Sequence, residues 1–121
     1  MRILHLEDEG PLRDILRIAL TSVDPKVEMT QFINSDEAVT YIEKNVNDID
    51  LYILDIRVPG KLNGLELAQK IRALGSKGRI VMTSAYRRPS KEQLTELKSE
   101  WMAKPWHILN APEQLLGHKP I

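Results

Sequence analysis

Short apolar runs alternate with helical patterns along the chain, and turn residues separate them. Ile3-Leu4-His5-Leu6 reads as a strand. Pro11 suits the first turn of a helix, where its missing N–H costs nothing, and Leu12, Ile15, Leu16 and Ala19 then recur at helical spacing. Val27 to Phe32 reads as a second strand. Asn34 followed by Glu37 has the form of a capping box, and Ala38, Ile42 and Val46 mark the buried face of the helix it starts. Leu51-Tyr52-Ile53-Leu54 is a continuous apolar run ending at Asp55, as suits a strand covered on both faces. A turn at Val58-Pro59-Gly60 leads to a second capping box, Asn63 with Glu66. Leu67, Ile71 and Leu74 follow, and Gly75 stands where a C-cap glycine belongs. Ile80-Val81-Met82 is a fourth strand, Ser90 with Gln93 starts a fourth helix carrying Leu94 and Leu97, and Trp101-Met102-Ala103 is a short fifth strand. Pro112 interrupts the tail, and Gly117 and Pro120 close it, so only a short helix from about Ala111 to Leu116 is predicted. Five strand–helix alternations predict a single doubly wound α/β domain spanning 1–121, with a parallel sheet and helices on both faces.

Composition narrows the chemistry. The 121 residues suffice for one domain and can bury about two-thirds of their unfolded surface. Seventeen basic and seventeen acidic residues cancel, which argues against the strongly basic face of a nucleic-acid binder. The absence of cysteine removes thiol catalysis, zinc ribbons and thiolate iron–sulfur centres. No apolar stretch reaches membrane-spanning length, and the start turns acidic too early for a signal peptide. A cytoplasmic domain with no membrane association is the resulting expectation.

Ligands of open parallel sheets bind at the carboxyl ends of strands. Here the first strand ends in Glu7-Asp8, the third in Asp55, the fourth in Thr83-Ser84 and the fifth in Lys104-Pro105. Each alone reads as a turn or cap residue. Together they are three carboxylates, hydroxyls and one ammonium on one rim. If the first and third strands are neighbours, Asp8 and Asp55 lie close, and like charges about 4 Å apart repel by ~4 kcal/mol at an effective dielectric of 20. Either one carboxyl is protonated or a cation binds. Hard oxygen donors favour Mg²⁺ or Mn²⁺ over zinc.

These residues, Ile3 to Glu9, Leu54-Asp55-Ile56-Arg57-Val58-Pro59-Gly60 with Asn63-Gly64, Met82-Thr83-Ser84-Ala85 and Lys104-Pro105, resemble the receiver domain of two-component response regulators, the CheY-like superfamily. The resemblance implies the strand order 2-1-3-4-5 and a phosphoprotein of phosphorelay signal transduction rather than a metabolic enzyme, its only catalysis being on its own aspartate. By the same resemblance Asp55 is the phosphoacceptor, forming an aspartyl phosphate. Asp8, Asp55 and the Arg57 carbonyl hold Mg²⁺, with Mn²⁺ as a substitute, and Glu7 acts through a metal-bound water. Lys104, the Ser84 hydroxyl and the Ala85 amide contact the phosphoryl oxygens. Trp101 is the switch aromatic, and Lys104-Pro105 carries the family's cis peptide. The implied partners are a sensor histidine kinase or phosphotransfer protein, with a homodimer through the fourth and fifth helices as one assembly and no nucleic acid bound by this domain. The chain departs from the family in a loop one residue longer between Asp55 and Gly64, a short stretch from Ser84 to Lys104, and the tail without a clean fifth helix. Arg57 and Tyr86 flank the acceptor, where side chains can gate water and tune phosphate lifetime.

Other readings stay in view. A pseudo-receiver would keep the fold as a protein-docking module without phosphorylation. A haloacid-dehalogenase-type phosphatase wants its aspartate pair two residues apart after the first strand, but here the acceptor-like Asp55 follows the third strand and Arg57 stands two residues on. No glycine-rich phosphate loop follows any strand. His5 reads as a packed core histidine, His107 and His118 as surface residues, Trp106 as packing, and Arg87-Arg88 as too short for nucleic-acid binding. Thr83 is a register rival to Ser84.

Overall fold

The computed structural model describes residues 1–117. In chain order the elements are β1 (Arg2–Leu6), α1 (Gly10–Val23), β2 (Glu28–Phe32), α2 (Ser35–Lys44), β3 (Leu51–Asp55), α3 (Gly64–Ala73), β4 (Arg79–Ser84), α4 (Lys91–Glu96), β5 (Ser99–Ala103) and α5 (Ala111–Leu116). The strands form one parallel sheet in the order β2-β1-β3-β4-β5. Asp55 and Thr83 stand side by side across β3 and β4.

Strand side chains alternate between two cores, as a pleated sheet covered on both faces requires. Leu4, Leu6, Tyr52, Leu54, Ile80 and Met82 pack with Ala38, Ile42, Leu67, Ile71 and Leu94 of α2, α3 and α4. Ile3, Leu51, Ile53, Val81 and Met102 pack with Leu16 and Leu20 of α1 and Leu115 of α5. His5 lies within β1, fully buried as expected, and His107 is exposed. His118 and Pro120 lie outside the described residues. Among those described, no helix is long and apolar enough to cross a membrane.

Helix ends follow the capping residues. Asn63 with Glu66 and Ser90 with Gln93 form complete capping boxes. Asn34 caps the Glu37 amide at 2.9 Å, half of the expected box. The last helix has the predicted bounds, with Pro112 in its first turn, where a proline has no donor to lose. The fourth and fifth helices span six residues each, short as predicted.

Gly64, the first residue of α3, presses against the end of β3. A Cβ there would fall 2.2 Å from the Asp55 carbonyl oxygen. Its amide donates to the Ile56 carbonyl at 2.9 Å, closing the loop that carries the acidic site. Gly64→Ala should therefore overpack a backbone–backbone contact and destabilise the fold by about 2 kcal/mol, read as a lower midpoint in urea unfolding.

Candidate functional site

The ends of β1, β3 and β5 carry the acids and the lysine of the site. Parity decides which face it uses. Asp55 continues the row of Leu51 and Ile53 on β3, and Thr83 the row of Val81 on β4. Both therefore belong to the side covered by α1 and α5. Counting two residues beyond His5 and Met102 brings Glu7 and Lys104 onto the same side. Ser84 falls in the opposite row with Ile80 and Met82, and Trp101, paired with Met82, packs against that second core.

The Lys104 ammonium joins the acids. Its Nζ lies 2.5 Å from Glu7 Oε1 and 2.8 Å from Asp55 Oδ2. All three side chains are nearly or wholly buried. Asp55 Oδ1 accepts the Arg57 amide at 3.1 Å, and Glu7 Oε2 accepts the Glu9 amide at 3.1 Å. Glu7 Oε1 has no partner of good hydrogen-bond geometry among the described residues beyond its ion pair with the lysine. Asp8 is exposed, yet Glu7, Asp8 and Asp55 each bring a carboxylate oxygen to within 4.8 Å of the other two. Three carboxylates around one ammonium leave two negative charges when all are ionised.

Electrostatics reflects that surplus. Burial pushes the Glu7 carboxyl up to about 7, with the Asp55 charge adding to it, against hydrogen bonds from Lys104 and the Glu9 amide. Burial works against the Lys104 ammonium, but hydrogen bonds and charges from Asp55 and Glu7 outweigh it and hold its pKa above the ordinary value. His5 is driven down to about 3, by burial first and then by the charges of Lys104, Arg13 and Arg17, so it stays neutral.

A cleft of about 570 Å³ opens over the acids. Asp8, Asp55, Arg57, Ala85, Tyr86 and Lys104 line its polar side, and Leu12, Ile15, Pro105, Trp106 and Ile108 its apolar side. The Arg57 guanidinium stacks over the Tyr86 ring, 4.2 Å from its centroid. Ser84 is buried and does not line this cleft; its Oγ accepts the Tyr86 amide at 3.0 Å. The predicted residues are thus gathered at one rim, with the Ser84 hydroxyl turned aside and Trp101 behind it. The Lys104–Pro105 peptide is cis.

The long loop after β3 is held by a residue that the sequence pattern did not single out. Ser35, fully buried at the start of α2, donates its amide to the Pro59 carbonyl at 2.9 Å and accepts the Leu62 amide at 3.1 Å. Gly60, at φ +117°, lies where a Cβ would fall 2.2 Å from Ser35 Oγ. These contacts tie the loop after β3 to the start of α2. Trp106 packs against the core as expected, but its bond to Thr83 was not foreseen: the indole N–H donates to Thr83 Oγ1 at 2.7 Å. No local sequence signal pairs residues so far apart.

The donor set fits a hard divalent cation, since oxygen ligands converge and carry uncompensated charge. Comparison with known proteins agrees with this geometry. The family model described as the response regulator receiver domain matches residues 3–108. Response regulator RppA of Synechocystis sp. is 32% identical over 108 residues, 88% of this chain and 45% of that protein. The chain therefore spans less than half the length of this relative. The response regulator protein TrrA of Thermotoga maritima, in complex with Mg²⁺-BeF, superposes with a TM-score of 0.77 at 28% identity, covering 93% of this chain and 94% of that one. The response regulatory domain of mrkE from Klebsiella pneumoniae gives 0.83 at 24% identity over 97% and 93%, a likeness of fold. With the family model running from the first strand to beyond Lys104, the chain belongs to the response regulator receiver domain family, signalling domains of two-component systems rather than conventional enzymes.

Proposed function

We propose that this domain, 1–121, is a phosphorylatable receiver whose acceptor is Asp55. The observation that supports it most is the buried Asp55 carboxylate, paired with Lys104 at 2.8 Å and open to a cleft on its other side. In this reading the donor is a phosphohistidine on a sensor kinase or phosphotransfer protein. An Asp55 carboxylate oxygen attacks phosphorus as the P–N bond breaks. The bonding pair leaves with the imidazole nitrogen, which takes up a proton. Phosphoryl transfer depends on positioning and charge neutralisation more than on covalent machinery. In this reading Lys104 would neutralise one phosphoryl oxygen, and the amide of Ala85, which lines the cleft, would donate to another.

Asp8, Asp55 and the Arg57 carbonyl would hold Mg²⁺, or Mn²⁺ in its place, and Glu7 would bind through a coordinated water. The ion supplies neutralisation of the acids and of the incoming phosphoryl oxygens. Ser84 would give up the Tyr86 amide and turn to the phosphoryl group. Because Ser84 and Trp101 share the α3/α4 side of the sheet, that turn would be felt by the packing of Trp101 and would change partner or output contacts. The Arg57–Tyr86 stack lies at the cleft and is read as a cover that slows water.

The pH dependence has a defined sign. The folded protein holds the Glu7 proton more tightly than the unfolded chain does, since its pKa rises from 4.5 to about 7. Stability from Glu7 is therefore greatest at low pH and falls as pH rises from 4.5 through 7. His5, held neutral down to about 3, loses stability as pH falls below its ordinary 6.5. The two oppose each other between 4.5 and 6.5, and above that only Glu7 still changes. A cation that favours ionised Glu7 reverses the loss. Thermal melts should thus show a larger Mg²⁺-induced rise in Tm at pH 8 than at pH 6, and Glu7→Gln should flatten that difference.

Incubation with Mg²⁺ and a small phosphodonor should add one phosphoryl group by intact mass, absent in Asp55→Asn. No adduct at saturating donor would favour a docking module, and steady turnover of unrelated phosphate esters a phosphatase. Arg57→Ala should speed loss of the adduct about threefold, the worth of one exposed cation–π contact, in a single-turnover decay. An unchanged decay rate would remove the cover role.

A further inference from the structure

Trp106 stands two residues beyond Lys104, half-buried between the cleft and the core beneath α1 and α5. Its ring is held from three sides. The indole N–H donates to Thr83 Oγ1 at 2.7 Å. The His5 ring packs tilted against it, centroid to centroid 5.9 Å. The Lys104 ammonium sits over its face, 5.6 Å from the centroid. Thr83 is in turn the residue beside Asp55 in the β3–β4 register, and its carbonyl accepts the Ile56 amide at 3.1 Å. A closed path therefore runs from the acceptor strand through Thr83 to the indole, on to the ammonium and back to Asp55.

A packing tryptophan would fill this space as well, and its N–H would need some acceptor, because a buried unpaired donor is costly. Packing does not account for the placement of the lysine on the ring face. Lysine is a flexible stem with a point charge, and two carboxylates fix it in the resting site. When an Asp55 oxygen becomes an ester oxygen, one of those anchors weakens at the moment the cation is needed. An aromatic face attracts a cation without demanding one direction. It lets the ammonium follow the phosphoryl oxygens while barring its escape into the apolar half of the cleft.

We propose that Trp106, fixed by Thr83, is a positioning residue for the Lys104 ammonium during phosphoryl uptake. The proposal rests on Asp55 being the acceptor. It also divides the adjacent hydroxyls of β4: Thr83 anchors the indole, and Ser84, on the opposite face, is left for the phosphoryl group.

The test is the first-order phosphorylation rate at saturating small phosphodonor and Mg²⁺, with donor KM and the folded fraction by near-ultraviolet circular dichroism. Thr83→Val keeps the volume and removes the acceptor; Trp106→Phe keeps an aromatic face and removes the donor without touching β4. Each should slow the rate about three- to tenfold with donor KM unchanged, the scale of one hydrogen bond or cation–π contact. The double variant should be about as slow as either single one, because both remove the same bond. Thr83→Ser should stay near the wild-type rate. Rates in Thr83→Val and Trp106→Phe matching wild type, an equal slowing in Thr83→Ser, or slowing that only tracks lost folded protein would overturn the positioning role. Failure of the wild type to take up any phosphoryl group would sink the acceptor reading, and this proposal with it.

Discussion

One ammonium shared by two buried carboxylates sets the terms for the rest of the molecule. Lys104 bridges Glu7 and Asp55 in a site almost closed to solvent, and a third acid, Asp8, stands within ligand distance of both. Burying charges is costly unless they are paired, and here the pairing is incomplete. Burial first, and then the Asp55 charge, push the Glu7 carboxyl up to about 7. In the proposed function a divalent cation would offset the acids and a phosphoryl group would then meet the cations.

The sheet makes the cluster possible and also sorts it. β1, β3 and β5 carry the acids and the lysine to one rim, and the order β2-β1-β3-β4-β5 sets β1 and β3 as neighbours. The two-residue period sends Asp55 and Thr83 to the side of α1 and α5, and Ser84 and Trp101 to the side of α3 and α4. In the proposed function, chemistry on one face and response on the other would be separated by a single sheet. On that reading the Ser84 hydroxyl, by changing partners at the rim, would alter packing around Trp101 with little movement of Asp55.

Much of this was legible in the chain. Strand alternation, the capping pairs at Asn63 and Ser90, and the polar residues at four of the five strand ends follow from local pattern, because period, caps and turn residues act over a few positions. The short fourth and fifth helices were also readable. Pro112 helped to set the start of the last helix, because a proline fits only its first turn. The Thr83–Trp106 bond and the hold of Ser35 on Pro59 and Leu62 join residues more than twenty positions apart. No periodicity encodes such pairs; they depend on which strand faces which helix. Nor does the sequence alone show that Glu7 is fully buried while adjacent Asp8 is exposed, because both follow β1 and differ only in the face to which each is turned.

The central claim is that the unbalanced carboxylates around Lys104 form one cation site. It is tested most directly by crystals soaked in Mn²⁺ and measured at a wavelength where manganese scatters anomalously. The account predicts a single strong anomalous peak in direct contact with Asp8 and Asp55, with Lys104 still beside Asp55. No peak at saturating Mn²⁺, or a peak bound elsewhere on the surface, would contradict it.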